Sequence, residues 1–423
     1  MWPRCRDSGG EAVLRAPRGD RAVKPNGRLA LVAVLGALTA TAPLSIDMYV
    51  PGFPAMGATL GASSSAVQLT MTAFLAGLVV GQLGIGPISD ALGRRPLLVG
   101  GIVCYSVFSL ACAVAPNVEV LIGARFLQGV SGAAGMVLAR AVLTDRFSGA
   151  DLPRYFAVLS QVLGVAPVVA PVLGGALLSV ASWRLIFVVL SGVGAVLLVA
   201  VLRQVPESLP EERRRPGGLR NTLREMRSLA GRRAFLGYQL TLGFTSAALF
   251  SYISGSSFVF EELHGVTPTM YSLIFAVNAA GMLSAGFTFG RLSSRCWLNT
   301  LLIFGVGIAA VGASLQVALV LTVGETLAGT WVCLFVVVVG VALVIPSVMS
   351  IGQAIARDSA GAGSALLGGV QFLLGAAASP VVGFFGEASS RPMALIMLFA
   401  MAGAAVSLFG LARPWHGHGE PAR

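Results

Sequence analysis

Long apolar runs separated by short polar breaks dominate this chain. Their approximate spans are 29–52, 67–88, 97–115, 118–140, 155–180 and 184–203, then 234–258, 269–290, 297–322, 327–350, 362–386 and 392–412. Each is close to the ~20 residues an α-helix needs to cross a bilayer. The pattern predicts an all-α membrane protein of twelve transmembrane helices. Residues 204–233 interrupt it with Pro206, Pro210, Pro216, paired glycines and charges, which predicts a linker carrying a surface helix over 219–232. The expected domains are a basic tail over 1–28, a six-helix bundle over 29–203, the linker over 204–233, a second six-helix bundle over 234–412 and a tail over 413–423. Traces of a repeat relate the halves. Gly86 and Gly290 each precede an Arg-bearing tight loop, and Ala170-Pro171-Val172-Leu173-Gly174 matches Ser379-Pro380-Val381-Val382-Gly383. Parallel six-helix repeats suit an alternating-access transporter with a central site.

Composition agrees. Of 423 residues, 56% are hydrophobic and 11% charged, too little polar surface to cover a water-soluble domain. The 53 glycines suit close packing between membrane helices. A net charge of +11 invites a nucleic-acid reading, but 26 of the 29 Lys and Arg fall in the tails and in alternate loops. Arg184 and Arg391 alone occupy the opposite loops, and Arg125 lies inside a span. Such a bias places both termini in the cytoplasm of a multi-pass protein of the cell membrane, with lipid and no nucleic acid as partner. The five cysteines include no CxxC and no pair in an outward loop, so neither a disulfide nor a metal site is expected. A basic start, an apolar run and Ala40-Thr41-Ala42 imitate a signal peptide, yet the run continues toward Pro51, which predicts an uncleaved first helix.

The local motifs are more specific. After the second run the chain reads Gly86-Pro87-Ile88-Ser89-Asp90-Ala91-Leu92-Gly93-Arg94-Arg95-Pro96, a tight turn with one carboxylate and two guanidiniums. Positive-inside placement explains the arginines but not Gly86, Asp90 and Gly93 at these spacings. Here the chain resembles the major facilitator superfamily, whose loop between helices 2 and 3 carries G-x-x-x-D-x-x-G-R-R/K. Pro43 through Phe53-Pro54, Arg125-Phe126 with Gln128-Gly129, Arg140-Ala141 with Asp145, and Gly164, Pro167, Pro171, Gly174 and Gly175 narrow the resemblance to the bicyclomycin-resistance (Bcr/CflA) branch of drug:proton antiporters. It runs from about Leu29 to Pro414. The counterpart of the loop motif in the second half, Gly290-Arg291-Leu292 to Arg295, lacks its Asp. The implied fold is the major facilitator fold of two six-helix pseudo-repeats.

Two residues are candidates for proton coupling. A carboxylate at Asp47 costs several kcal/mol inside a membrane unless it is neutral or faces a wet cavity. Either it ends the first helix in outer water, or it is buried and exchanges protons. The second reading is favoured, and the resemblance implies it for an acidic residue in helix 1. Arg125 either snorkels to the outer interface or sits buried at a depth similar to Asp47. The resemblance implies that a helix-4 arginine influences proton release. Gly86, Asp90, Gly93, Arg94, Arg95 and Asp145 form the expected conformational switch, a charge network linking helices 2, 4 and 11, with Asp90 near the start of helix 11 around 361–364. It would exist only while the cytoplasmic side is closed. The face of Gly164, Pro167, Pro171, Gly174 and Gly175 reads either as a gate against helix 8 or as ordinary small-residue packing. Tyr49, Phe53, Gln239, Tyr252, Asn278 and Gln371 are the candidate substrate-cavity residues, suited to apolar or singly cationic solutes.

The sequence carries no P-loop, HExxH or Cys/His cluster and only three histidines, so an enzyme is not expected, nor a cofactor. Anionic substrates are disfavoured, because the spans offer one arginine and no lysine. The leading expectation is a monomeric secondary transporter exporting amphipathic cationic or neutral molecules in exchange for protons. The alternatives are an exporter or facilitator of a small neutral metabolite, such as a sugar or amino acid, or a non-coupled transporter-like sensor.

Overall fold

The structure is a computed structural model describing residues 25–147, 151–214, 218–384 and 389–418. Among them it contains α-helices joined by short 3₁₀ and π turns and no strand. Twelve long helices follow the apolar runs: α1 (Pro25–Asp47), α3 (Ser64–Leu92), α4 (Arg94–Ala113), α5 (Val118–Arg146), α6 (Asp151–Leu178), α7 (Arg184–Gln204), α9 (Arg233–Ser257), α10 (Pro268–Leu292), α11 (Leu298–Thr322), α12 (Leu327–Ile355), α13 (Ala360–Phe384) and α14 (Arg391–Val406). Two shorter ones, α2 (Phe53–Leu60) and α8 (Gly218–Ala230), interrupt them. Most of the expected basic N-terminal tail, residues 1–24, lies outside the described residues.

Eleven of the long helices are apolar enough to cross a membrane on composition alone. The exception is α9, which matches them in length but is rich in Ser, Thr, Gly, Tyr and Gln. Its surroundings explain the difference: α9 packs on α12, α13 and α14, and nearly every residue from Phe235 to Ser257 is buried. A helix shielded from lipid can carry polar groups, provided they find partners. Thr241, Thr245 and Ser251 do so on carbonyls one turn back.

With twelve crossings, both ends of the chain lie on one side, here called the terminus side. On the far side, Ser63, Asn117 and Thr267 cap α3, α5 and α10 by accepting backbone N–H groups through their side chains. On the terminus side, α3 turns into α4 through Gly93, whose φ of +102° disfavours any side chain. A Cβ there would also press on the Glu207 carboxylate, so the turn and its neighbour both require glycine.

Close backbone approach holds the first bundle together. Gly77 of α3 faces the Phe126 carbonyl of α5, and Gly129 of α5 faces the Phe74 carbonyl of α3, with no room for a side chain at either. The bundles meet along two seams, α3 on α13 and α6 on α10. In the second seam Gly164 lies against Leu283 and Gly175 against Ser272, while Gly174 abuts the Met48 backbone just after α1. The small-residue face of α6 therefore divides between α10 and the end of α1.

The close approach of α3 and α5 gives a test. Gly129→Val should destabilise the purified protein by about 1–3 kcal/mol by forcing the helices apart. Gly123→Ala, on the same helix in open space, should not lower thermal stability. Equal effects would show that this contact does not hold the bundle.

Candidate functional site

Asp47 is the last residue of α1, but the chain does not leave for solvent there. Val50–Gly52 form a 3₁₀ turn that leads into α2, and Val50, Phe53 and Met56 are buried beyond the helix end. Asp47 is consequently only 4% exposed. Its Oδ1 has no hydrogen-bond partner, and no ion pair among the described residues includes it. The carboxyl faces a cavity of about 260 Å³ between the bundles.

Helices from both halves line this cavity. Pro43, Ile46, Met136 and Pro167 come from the first, and Phe250, Tyr252, Phe275, Asn278, Gln371 and Phe372 from the second. Tyr252 and Phe275 stack with centroids 5.4 Å apart. Asn278 donates to the Tyr252 hydroxyl at 3.0 Å and accepts from Trp331 Nε1 at 3.0 Å, which fixes its amide. The result is an aromatic chamber with two oriented polar groups, Tyr252 and Asn278, and Asp47 as its one carboxylate.

Three of the six expected cavity residues lie elsewhere. Tyr49 turns its ring face to Arg125, with its hydroxyl near Thr70. Phe53 packs edge-on against Tyr49 at 4.9 Å and lies 6.0 Å from Phe258. Gln239 is occupied by the Leu366 carbonyl of α13. Tyr252, Asn278 and Gln371 do line the chamber.

Arg125 is fully buried, one helix layer behind α1. Its guanidinium sits between the rings of Tyr49 and Phe74, 4.1 and 4.2 Å from their centroids. Nη1 donates to Gln128 Oε1 at 2.6 Å, and Nη2 to the Ser45 carbonyl at 3.0 Å. Gln128 in turn donates to Ser109, while Ser45 bonds Tyr105. Arg125 and Asp47 make no ion pair. The cation instead grips the backbone of α1 two residues before the carboxylate.

The far side is closed. Gln68 of α3 donates to the Ser254 carbonyl of α9 at 3.1 Å and accepts the Gly383 N–H of α13 at 2.9 Å. Thr72 bonds the Ala376 carbonyl, and Ser65 the Pro380 carbonyl. Gln68 reads from sequence as one of several polar residues suited to a central cavity. In the structure it ties three helices together, and its position near the start of an apolar run is the signal that distinguishes it. Toward the terminus side, the chamber adjoins a second cavity of about 470 Å³ at Leu163.

The charge network differs from expectation in its partners. Arg94 pairs with Asp90 at 2.6 Å and Asp145 at 3.3 Å. Arg95 instead donates to the Leu202 carbonyl, and among the described residues no bond joins Asp90 to α13. With the far side closed and a cavity opening toward the termini, this contact is the one expected to be broken. Glu207, just after α7, is the residue that sequence reasoning missed. It accepts the N–H groups of Arg94, Arg95, Ser208 and Leu209 at 2.9–3.2 Å, capping the start of α4. Burial raises its pKa, but the four donors outweigh this and hold it below the ordinary carboxylate range.

The Major Facilitator Superfamily model matches residues 35–380. Among curated proteins, an uncharacterized MFS-type transporter of Bacillus subtilis, YdgK, is 39% identical, with 91% of this chain and 96% of that one covered. The bicyclomycin resistance protein homolog of Haemophilus influenzae is 30% identical over 86% of this chain and 92% of its own length. Among solved structures, a bacterial homolog of the human lysosomal transporter Spinster, inward-facing and unoccupied, has a TM-score of 0.75 at 16% identity, covering 96% of this chain and 100% of its own.

The Glu207 cap predicts a pH dependence. A depressed carboxylate contributes stability that is present above its unfolded pKa, near 4.3, and is lost as pH falls through the lower folded value. Glu207→Gln should therefore lower thermal stability by an amount that is constant near neutrality and shrinks below about pH 4.3. A deficit that persists into acid would contradict the cap.

Proposed function

The chain belongs to the Major Facilitator Superfamily and is a membrane transporter, not an enzyme, and on that premise we propose that it exports amphipathic neutral or cationic molecules in exchange for protons. Relatives bearing the names of a bicyclomycin resistance protein homolog and a chloramphenicol resistance protein support a drug-like substrate class. The reading places the terminus side in the cytoplasm of a bacterial cell, in keeping with 26 of 29 Lys and Arg falling in the tails, the loops and the helix ends toward that side. The chamber would then be open inward, ready to load. A single chain encloses it, so a monomer suffices. The boundaries at 29–203 and 234–412 follow the same scheme, with the linker and α8 between them.

One observation carries the coupling: Asp47 is a cavity-facing carboxylate with no ion-pair partner. Without a counter-ion, the charged form is costly where water is scarce. A cationic or strongly dipolar solute entering the aromatic chamber compensates that charge, so solute and proton compete for one group. Arg125 acts on this group through the backbone, because its bond to the Ser45 carbonyl holds the end of α1, and with it Asp47, at the chamber wall. The Arg94 pairs with Asp90 and Asp145, the turns at Gly86 and Gly93, and Arg95 act apart from the solute. They hold the terminus-side loop in the shape that docks on α13 when that side closes. On α6, Gly164, Pro167, Pro171, Gly174 and Gly175 let the far side seal without a leak.

In inverted vesicles carrying a pH gradient, an amphipathic cation should dissipate the gradient, and Asp47→Asn should reduce that exchange at least tenfold and weaken binding of the cation. A gradient-independent flux that survives the substitution would favour a facilitator of neutral metabolites.

A further inference from the structure

The second cavity departs from what the sequence suggests. It is lined by Thr39, Arg140, Phe156, Leu159, Ser160, Leu163, Met349, Gln353 and Ser364, with no acidic side chain among them. Arg140 counts in sequence with the loop cations of the terminus side. In the structure it lies inside α5, which continues to Arg146, and its side chain meets solvent in this vestibule. Among the described residues it makes no ion pair, and Ser160, Gln353 and Ser364 likewise have no hydrogen-bond partner. Three unengaged polar side chains and one unneutralised guanidinium thus share one space.

That space is continuous in its lining with the Asp47 chamber, because Leu163 contributes to both. Along α1, Thr39 faces the vestibule and Asp47 the chamber. Eight residues of helix separate them, about 12 Å. A carboxylate and a guanidinium therefore lie in adjoining cavities, one on each side of Leu163.

We propose that the vestibule is a binding subsite for an anionic group, with Arg140 as its counter-ion, and that the transporter takes amphipathic zwitterions whose cationic end lies toward Asp47. Guanidinium is suited to this because it presents paired donors to a carboxylate or sulfonate, and the hydroxyls and amide of Ser160, Ser364 and Gln353 can complete the shell. The subsite deepens the export reading above and rests on it for the direction of loading. It also reverses the expectation that anionic groups are excluded. That expectation followed from counting Arg125 as the only cation inside, whereas Arg125 is shut behind α1 and Arg140 faces the solute path.

The test uses two dyes that differ at one group. Rhodamine 110 carries a free carboxylate, and rhodamine 123 is its methyl ester. Binding to the full-length protein in nanodiscs, read by fluorescence anisotropy, should favour the free acid by about tenfold, the scale of one charge-assisted hydrogen bond. Arg140→Gln should abolish the preference by weakening the acid alone, and Arg140→Lys should retain most of it. Ester binding unchanged in both variants serves as the check on folding. Equal affinities in the wild type, no saturable binding of the acid, or a preference that survives Arg140→Gln would overturn the subsite. An Arg140-dependent preference in nanodiscs without proton-driven movement of either dye in vesicles would leave the subsite standing and remove the export reading instead.

Discussion

A guanidinium buried without a counter-ion is the constraint around which the first bundle is arranged. Removing such a cation from water costs several kcal/mol even after relaxation. At Arg125 the cost is offset by two aromatic faces, by Gln128 and by the Ser45 carbonyl. Those groups come from α1, α3, α5 and the turn after α1, so satisfying one charge fixes the relative placement of all of them. The close approach of α3 and α5 at Gly77 and Gly129 brings Phe74 within reach. The bond to Ser45 holds the end of α1 inward, which is where Asp47 lies. In the proposed cycle, a residue that never touches the solute thereby sets the position of the residue that does.

The two bundles divide the remaining work. Hydrogen bonds from Gln68, Thr72 and Ser65 close the far side, and each uses a backbone carbonyl or N–H of the opposite bundle, so the seal depends on main-chain geometry more than on charge. On the terminus side the ionic contacts among Arg94, Asp90, Asp145 and the segment after α7 stay within the first bundle. Polar seams between bundles can exchange one arrangement for another because neither buries an unpaired charge. The chamber between them supplies aromatic surface, two fixed amides or hydroxyls and one carboxylate, an arrangement that binds by shape and charge with few directional demands.

Much of this was legible in the sequence because membrane helices announce themselves by length and apolarity, and every apolar run corresponds to a helix. The loop motif at Gly86–Pro96, the inward position of Asp47 and the surface helix α8 were legible for similar reasons: each departs from its apolar surroundings. What was not legible depended on direction around a helix. Tyr49 and Tyr252 are the same residue type near the same level, yet one faces a guanidinium and the other the chamber. Gln68, Gln239 and Gln371 are equally polar in sequence, but the first two are consumed by backbone partners and the third lines the cavity. Arg140 was misplaced because a loop cation and a cation in the last turns of a long helix look alike until the helix end is known. Glu207 escaped notice because its partners are backbone N–H groups, which no pattern of side chains reveals.

The central claim is that solute and proton compete for Asp47. The direct measurement is proton release from the purified protein in weakly buffered solution on addition of a cationic amphipathic solute, followed with a pH indicator. The account predicts release that saturates with solute binding, is absent in Asp47→Asn and shifts its pH range in Arg125→Gln. Saturable binding to the wild type with no proton released, at any pH where Asp47 can titrate, would contradict it.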